Sequence, residues 1–310
     1  VMIQTKRREK IQINLNSSPD KEMVKEKELL SLDQHYPLFK AEKKITGMIG
    51  MKHVKDFIRE MYALVYVNEC RHKLELEATR QNYHMLFIGN PGTGKTTVAR
   101  IMAEMMKEMH VLEKGHFIEA ERADLVGEYI GQTAQKTKDV IKKAEGGILF
   151  IDEAYSLARG GEKDFGREAV DTLVKAMEDQ QHRFILILAG YPEEMKQFLR
   201  LNPGLPSRFP NTLTFQDFSG SDMLELSKNL IQEKDYQATD ALLKQLYRHF
   251  QQLRYPKASH NGRYVRNLVE RMIRRHALRL LEEGRPINKH TLMTLEADDM
   301  TITEDEGVQV

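Results

Sequence analysis

The sequence predicts an α/β domain on a five-stranded parallel sheet with helices on both faces, followed by a small all-α domain. Three observations carry this expectation. Short apolar runs alternate with helical segments between residues 84 and 215, a glycine-rich turn joins the first run to a helix, and no convincing strand follows Ser219. Short apolar strands separated by helices suit a sheet covered on both faces. At 310 residues the chain has the length of one large domain or two ordinary ones.

The elements follow in order. Residues 1–45 hold a basic cluster (Lys6, Arg7, Arg8, Lys10), a polar turn from Asn14 to Asp20 and a Lys/Glu-alternating stretch. Their poor apolar periodicity predicts a flexible or loosely docked arm. From residue 50 to about 73, Val54, Phe57, Ile58, Met61, Leu64 and Val65 recur at helical spacing. Strands are expected over 84–89, 115–120, 147–151, 183–189 and 211–215, with helices after the glycine turn and over 132–144 and 167–179. This α/β domain spans 46–219. A helical domain over 220–295 has segments near 221–233, 239–253 and 263–283, the last stopped by Gly284-Arg285-Pro286. A short, helix-like segment near 289–295 leads into an acidic tail over 296–310.

Composition excludes several classes. Lys and Arg number 47 against 46 Asp and Glu, a net charge of +1 in a chain that is 30% charged. That balance argues against a dedicated nucleic-acid binder, which shows a basic excess, and it suits a chain that packs against copies of itself. No apolar run approaches the ~20 residues that span a bilayer. The single Cys70 and the lack of an apolar leader at Val1–Lys6 give the expectation of a cytoplasmic protein without disulfide or Cys-based zinc. The histidines show no metal-binding cluster. The arginines of 263–285 share their helix with an apolar face (Val265, Leu268, Val269, Met272, Ala277, Leu280, Leu281), so packing accounts for it better than nucleic acid does. Met102, Met105, Met106 and Met109 are expected in the core.

Gly89-Asn90-Pro91-Gly92-Thr93-Gly94-Lys95-Thr96 fits G-x-x-x-x-G-K-[ST] between a strand and a helix. Such glycines let successive backbone N–H groups face phosphate oxygens. Lys95 brings a cation to the β- and γ-phosphates, Thr96 a hydroxyl for Mg²⁺, and the helix its N-terminal dipole. Asn90 through Thr97 are therefore the expected cofactor-binding run for ATP. Asp152 and Glu153 end the buried strand 147–151. Two carboxylates there need partners, and the pair is read as Asp152 holding Mg²⁺ through water and Glu153 activating the attacking water.

With these residues the chain resembles the AAA+ ATPases, a family of P-loop NTPases, over roughly residues 45–285. Within them it is similar to the group containing stage V sporulation protein K and the red-type rubisco activases, with its wording nearer the sporulation member. The likeness rests on Met48-Ile49-Gly50-Met51, the phosphate loop and acidic pair, Val126–Thr133, Leu201-Asn-Pro-Gly-Leu-Pro-Ser-Arg-Phe209 and Asn261-Gly-Arg-Tyr-Val-Arg266. It implies that Ile49 and Gly50 flank the adenine, that Arg208 projects to a neighbouring subunit's γ-phosphate, and that Arg263, with Arg266 as the weaker candidate, senses the γ-phosphate in its own subunit. It further implies that Tyr129-Ile130-Gly131 line a central pore and grip a protein. The family places Asn or Thr at the end of the fourth strand, where this chain reads Leu188-Ala189-Gly190-Tyr191; Asn202 is the candidate substitute. The resemblance implies an ATPase ring of six subunits that remodels a protein partner, in spore maturation on the nearer resemblance. Rubisco activation, a nucleotide-gated scaffold and a DNA-linked motor are the alternatives.

Overall fold

A computed structural model describes residues 35–46, 48–77, 81–129, 131–159, 165–179, 183–201, 204–253, 261–284 and 287–300. Residues 1–34 and 301–310, Ile130 and Asn202 lie outside the described residues, and so do the expectations attached to them.

Strands β1 (Met85–Gly89), β2 (Phe117–Ala120), β3 (Ile148–Ile151), β4 (Ile185–Gly190) and β5 (Asn211–Phe215) form one parallel sheet in the order β2-β3-β4-β1-β5. Side chains alternate across a strand, and the core divides accordingly. Met85, Phe87, Ile148, Phe150, Ile185 and Ile187 face one side; Leu86, Leu149, Ile151, Leu186 and Leu188 face the other. Both faces are covered, so the central strands carry almost no polar residue.

The first face packs on α1 (Tyr36–Thr46), α2 (Lys52–Lys73) and α3 (Lys95–Glu108). Met102, Met105 and Met106 of α3 are fully buried there, as expected of flexible, gap-filling side chains. On the second face lie α4 (Arg122–Leu125), α5 (Gln132–Ala144), α6 (Gly166–Asp179) and α7 (Pro192–Leu201). The short α8 (Leu205–Arg208) precedes β5. The sequence reading passed over α7, although Pro192 at its first turn with Glu193 and Glu194 is a favourable helix start.

Part of the predicted arm is instead an ordered helix. Helix α1 buries Ala41 and Ile45 and pairs Lys40 with Glu108 at 2.5 Å and Lys44 with Glu104, both on α3. The reason is tertiary: two apolar residues make a weak periodic signal, and the docking carboxylates stand sixty or more residues away.

The small domain after Ser219, a lid on the α/β domain, contains α9 (Gly220–Glu233), β6 (Gln237–Ala238), α10 (Asp240–Gln252), α11 (Gly262–Glu283), α12 (Lys289–Met293) and β7 (Thr294–Leu295). Ser219 caps α9 through a reciprocal capping box with Asp222, and Gly284 ends α11 at φ +59. Two corrections apply. Strands β6 and β7 pair in parallel, so a two-residue ladder interrupts the predicted all-helical region. The buried stripe of α11 runs Val265, Leu268, Val269, Met272 and then His276, whereas Ala277 is exposed and Leu281 is 80% exposed.

That turn in the stripe explains the start of the predicted acidic tail. Arg279 grips Asp299 through Nε at 2.8 Å and Nη2 at 3.0 Å, and Asp299 is 1% exposed. A buried carboxylate of this kind is tolerable because a bidentate guanidinium and the Glu296 amide satisfy it. Residues 296–300 thus belong to the folded lid rather than to a tail.

Candidate functional site

The parallel strands bring the ends of β1, β3 and β4 to one edge of the sheet, where open α/β sheets bind ligands. At the end of β1 the chain turns through Gly92 (φ +74) and Gly94 (φ +98), backbone conformations natural only to glycine. A Cβ on Gly94 would stand 2.8 Å from the Met51 methyl and 3.0 Å from that of Met48, so the segment 48–51 lies against this loop. Ile49 is buried and Gly50 is exposed. Thr93 is buried and its hydroxyl donates to the Asn90 carbonyl at 2.8 Å, closing the turn.

Lys95 opens α3 and folds back over the loop. Its ammonium donates to the carbonyls of Gly89 at 2.7 Å and Asn90 at 2.9 Å. Burial lowers its pKa, Asp152 and Glu153 oppose that shift, and Arg263 adds to it. Thr96 is half-buried and Thr97 is exposed, both in the first turn of α3.

Asp152 and Glu153 follow β3 directly. The Glu153 amide donates to its neighbour's Oδ1 at 2.9 Å, and Glu153 sits at φ +46, a left-handed conformation for a non-glycine residue. Such strain costs on the order of 1–3 kcal/mol and is characteristic of functional positions. Glu153 Oε1 accepts from the Tyr191 hydroxyl at 3.0 Å, and Oε2 stands 3.9 Å from Arg159. Both carboxylates open on a cleft of about 710 Å³ that Arg122, Lys136, Arg159 and Arg263 also line.

The lid closes on the loop from the other side. Asn90 Nδ2 donates to both Asp217 oxygens at 2.8–2.9 Å, and Asn261 Nδ2 donates to Asp217 Oδ1 at 2.8 Å. Asn261 Oδ1 in turn accepts from the Phe218 amide. This bridge delivers the N-terminus of α11, with Arg263 exposed at its first turn, to the phosphate loop. Arg266, also exposed, lies one turn further along the helix.

Arg208 is elsewhere. Its carbonyl accepts from Asn82 Nδ2 at 2.7 Å, ahead of β1, so a strand length of roughly 15 Å separates it from its own phosphate loop. It does not project freely: Nη1 donates to the Gly204 carbonyl at 2.7 Å, Nη2 pairs with Glu178, and Nε is buried without a partner. Tyr129 is 67% exposed and Gly131 (φ +84) has open space around it, between β2 and α5.

Sequence reading missed Asp217, Arg159 and the bond from Tyr191 to Glu153. Only Tyr191 left a signal, as the unexpected residue after β4. A Mg²⁺ ion fits this chemistry without a protein cage. Among the described residues no group of three His, Cys, Asp or Glu is placed to hold a metal, and Mg²⁺ characteristically takes one or two protein oxygens plus phosphates. Thr96 and Asp152 would supply those oxygens.

A glycine-turned phosphate loop, an acidic pair on the adjacent strand end and a helical lid define a P-loop nucleoside triphosphatase. The chain belongs to the ATPase family associated with various cellular activities (AAA), whose model matches residues 85–217, with the AAA lid domain matching 219–309. It is an ATP hydrolase of that family. It is 54% identical over 275 residues to stage V sporulation protein K of Bacillus subtilis (strain 168), covering 88% of this chain and 85% of that one. It is 43% identical over 255 residues to a chloroplastic ribulose bisphosphate carboxylase/oxygenase activase of Cyanidioschyzon merolae (strain NIES-3377 / 10D), covering 82% and 87%. The fold matches the Thermotoga maritima RuvB Holliday junction branch migration motor at TM-score 0.52 and 20% identity, over 81% of this chain and 67% of that one. Among the described residues no helix is long and apolar enough to cross a membrane.

Proposed function

We propose that this chain hydrolyses Mg²⁺-ATP in a ring of identical subunits, with six as the working number, and uses the cycle to remodel a protein partner. The observation that carries the reading is that Asp152, Glu153 and Arg263 line one cleft and that Arg263 abuts Gly92 of the loop over which Lys95 folds. Lys95 and the amides of 90–97 hold the triphosphate, with Ile49 and Gly50 beside the base. Bound through Thr96 and Asp152, Mg²⁺ would neutralise charge on the phosphate oxygens. Glu153 takes a proton from the attacking water, and Arg263 senses the γ-phosphate in its own subunit.

The position of Arg208, a strand length from its own loop, supports its reading as a finger for the next subunit. The exposed ring of Tyr129 supports a pore contact with an extended polypeptide. Similarity to stage V sporulation protein K supports a role in spore maturation in the cytoplasm. The test is twofold. Light scattering with ATP reports assembly, and the Glu153→Gln variant held in ATP should retain a discrete protein partner that the Lys95→Ala variant does not. A chain that stays monomeric with ATP overturns the ring.

Similarity to the chloroplastic activase favours one second reading, release of inhibited rubisco. Adding the chain and ATP to rubisco blocked by a sugar phosphate decides it; no recovery of carboxylation removes that reading.

A further inference from the structure

Strand β4 lies between β3, which ends in Asp152 and Glu153, and β1, which runs into the phosphate loop. The first residue beyond β4 therefore stands between the acidic pair and Lys95, and that residue is Tyr191. Its hydroxyl donates to Glu153 Oε1 at 3.0 Å, and its ring centre lies 5.6 Å from the Lys95 ammonium. One side chain touches both ends of the reaction.

Its surroundings hold it there. The ring packs 5.4 Å from that of Tyr155, and Gly190 just before it admits no side chain. A Cβ on Gly190 would meet Met195 Sδ at 2.6 Å and the Tyr155 ring at 2.9 Å. Burial, followed by the bond to Glu153, raises the Tyr191 pKa above the ordinary phenol value, so it remains a protonated donor at neutral pH.

We propose that Tyr191 is the positioning residue of the base: its hydroxyl engages Glu153 Oε1 and leaves Oε2 to meet the water that attacks the γ-phosphate. The inference rests on the reading of Glu153 as general base. In the step it serves, the water oxygen bonds to the γ-phosphorus and its proton passes to Oε2. The bond from the γ-phosphorus to the bridging oxygen breaks, and ADP carries that electron pair away.

Tyr191→Phe keeps the ring beside Lys95 and deletes only the hydroxyl. It should lower kcat about tenfold, equivalent to about 1.4 kcal/mol, while KM for ATP stays within about twofold. An unchanged kcat overturns the inference, and so does a rise in KM alone. Glu153→Gln separates this from the reading beneath it. If that variant still turns over ATP at the parent rate, the general-base reading fails. If it is inactive while Tyr191→Phe behaves as the parent, only the positioning role fails. In the Glu153→Gln background the Tyr191→Phe change should have no further effect on the residual rate, because one unit is lost once.

Discussion

The backbone amide of Gly262 donates to the carbonyl of Gly92 across 3.1 Å, so the lid meets the phosphate loop main chain to main chain. A side chain on either residue would press this contact apart. A Cβ on Gly262 would stand 2.9 Å from the Gly92 oxygen, and one on Gly92 would stand 2.9 Å from the Arg263 nitrogen. Any nucleotide that shifts the loop is therefore felt at the start of α11, and any lid motion is felt at the loop.

Gly262→Ala should loosen this contact without unfolding either part. The lid can retreat by a few tenths of an ångström, which carries Arg263 away from the cleft. Affinity for a fluorescent ATP analogue should fall several-fold with little change in the melting temperature. Parental affinity in the folded variant would mean that the contact does not couple lid to nucleotide.

Lys95→Ala and Glu153→Gln should separate binding from chemistry. The first removes the cation that holds the phosphates and should abolish detectable ATP binding. The second leaves the loop intact and should bind ATP normally while hydrolysis falls by about 10²–10⁴, the range for a general base. Equilibrium binding and phosphate release on the same preparations make the distinction.

Arg208→Ala should bind ATP and lose hydrolysis by roughly 10³ or more. The decisive arrangement is a mixture of Arg208→Ala and Glu153→Gln subunits. Some sites then combine an intact Glu153 with an intact finger from the neighbour, and activity should reappear. A finger acting within its own subunit predicts no recovery on mixing. Because Glu178 pairs with Arg208 in the single chain, Glu178→Gln should raise the basal rate by releasing it.

Tyr129→Ala should leave stability within about 0.5 kcal/mol, because an exposed ring takes little packing with it. Basal ATPase should also survive, while remodelling of the partner is lost. A large fall in melting temperature would place this ring in the core of an assembled or rearranged state instead.

How far these features were legible in the sequence depends on how local their causes are. The turn from Gly89 to Lys95 is dictated by glycines close together in the chain, and β1, β3 and β4 by runs of four to six residues without a polar side chain, so both could be read directly. The acidic pair was legible because charge at the end of a buried strand demands a reason. Asp217 was not, since its role exists only when Asn90 and Asn261 converge on it. The same holds for α1, whose lysines find Glu104 and Glu108 across the fold, and for Asp299, whose burial depends on Arg279. Composition marked that stretch as an acidic tail because the compensating arginine lies twenty residues earlier. The Glu153–Tyr191 bond is intermediate: a tyrosine after β4 was conspicuous, but its direction was not.

One buried group outside the nucleotide site sets a pH limit on the fold. His84 precedes β1, and its Nδ1 accepts from the Leu186 amide at 2.9 Å, while Nε2 is buried without a partner. Phe184 and Phe209 flank the ring. Burial lowers its pKa from 6.5 to about 4, because nothing there solvates an imidazolium and the backbone amide demands a neutral acceptor. In the unfolded chain the same imidazole titrates near 6.5. Between these values the unfolded state binds the extra proton, so stability is complete above about pH 6.5 and is lost progressively as pH falls toward 4. A full shift of this size corresponds to about 3 kcal/mol. Urea unfolding at pH 7 and at pH 4.5 should show a loss of about 2–3 kcal/mol from this residue. His84→Asn retains a carbonyl acceptor but cannot titrate, so it should be less stable at pH 7 through lost packing and should lose less on acidification. An identical pH dependence in that variant would assign the acid sensitivity to other groups.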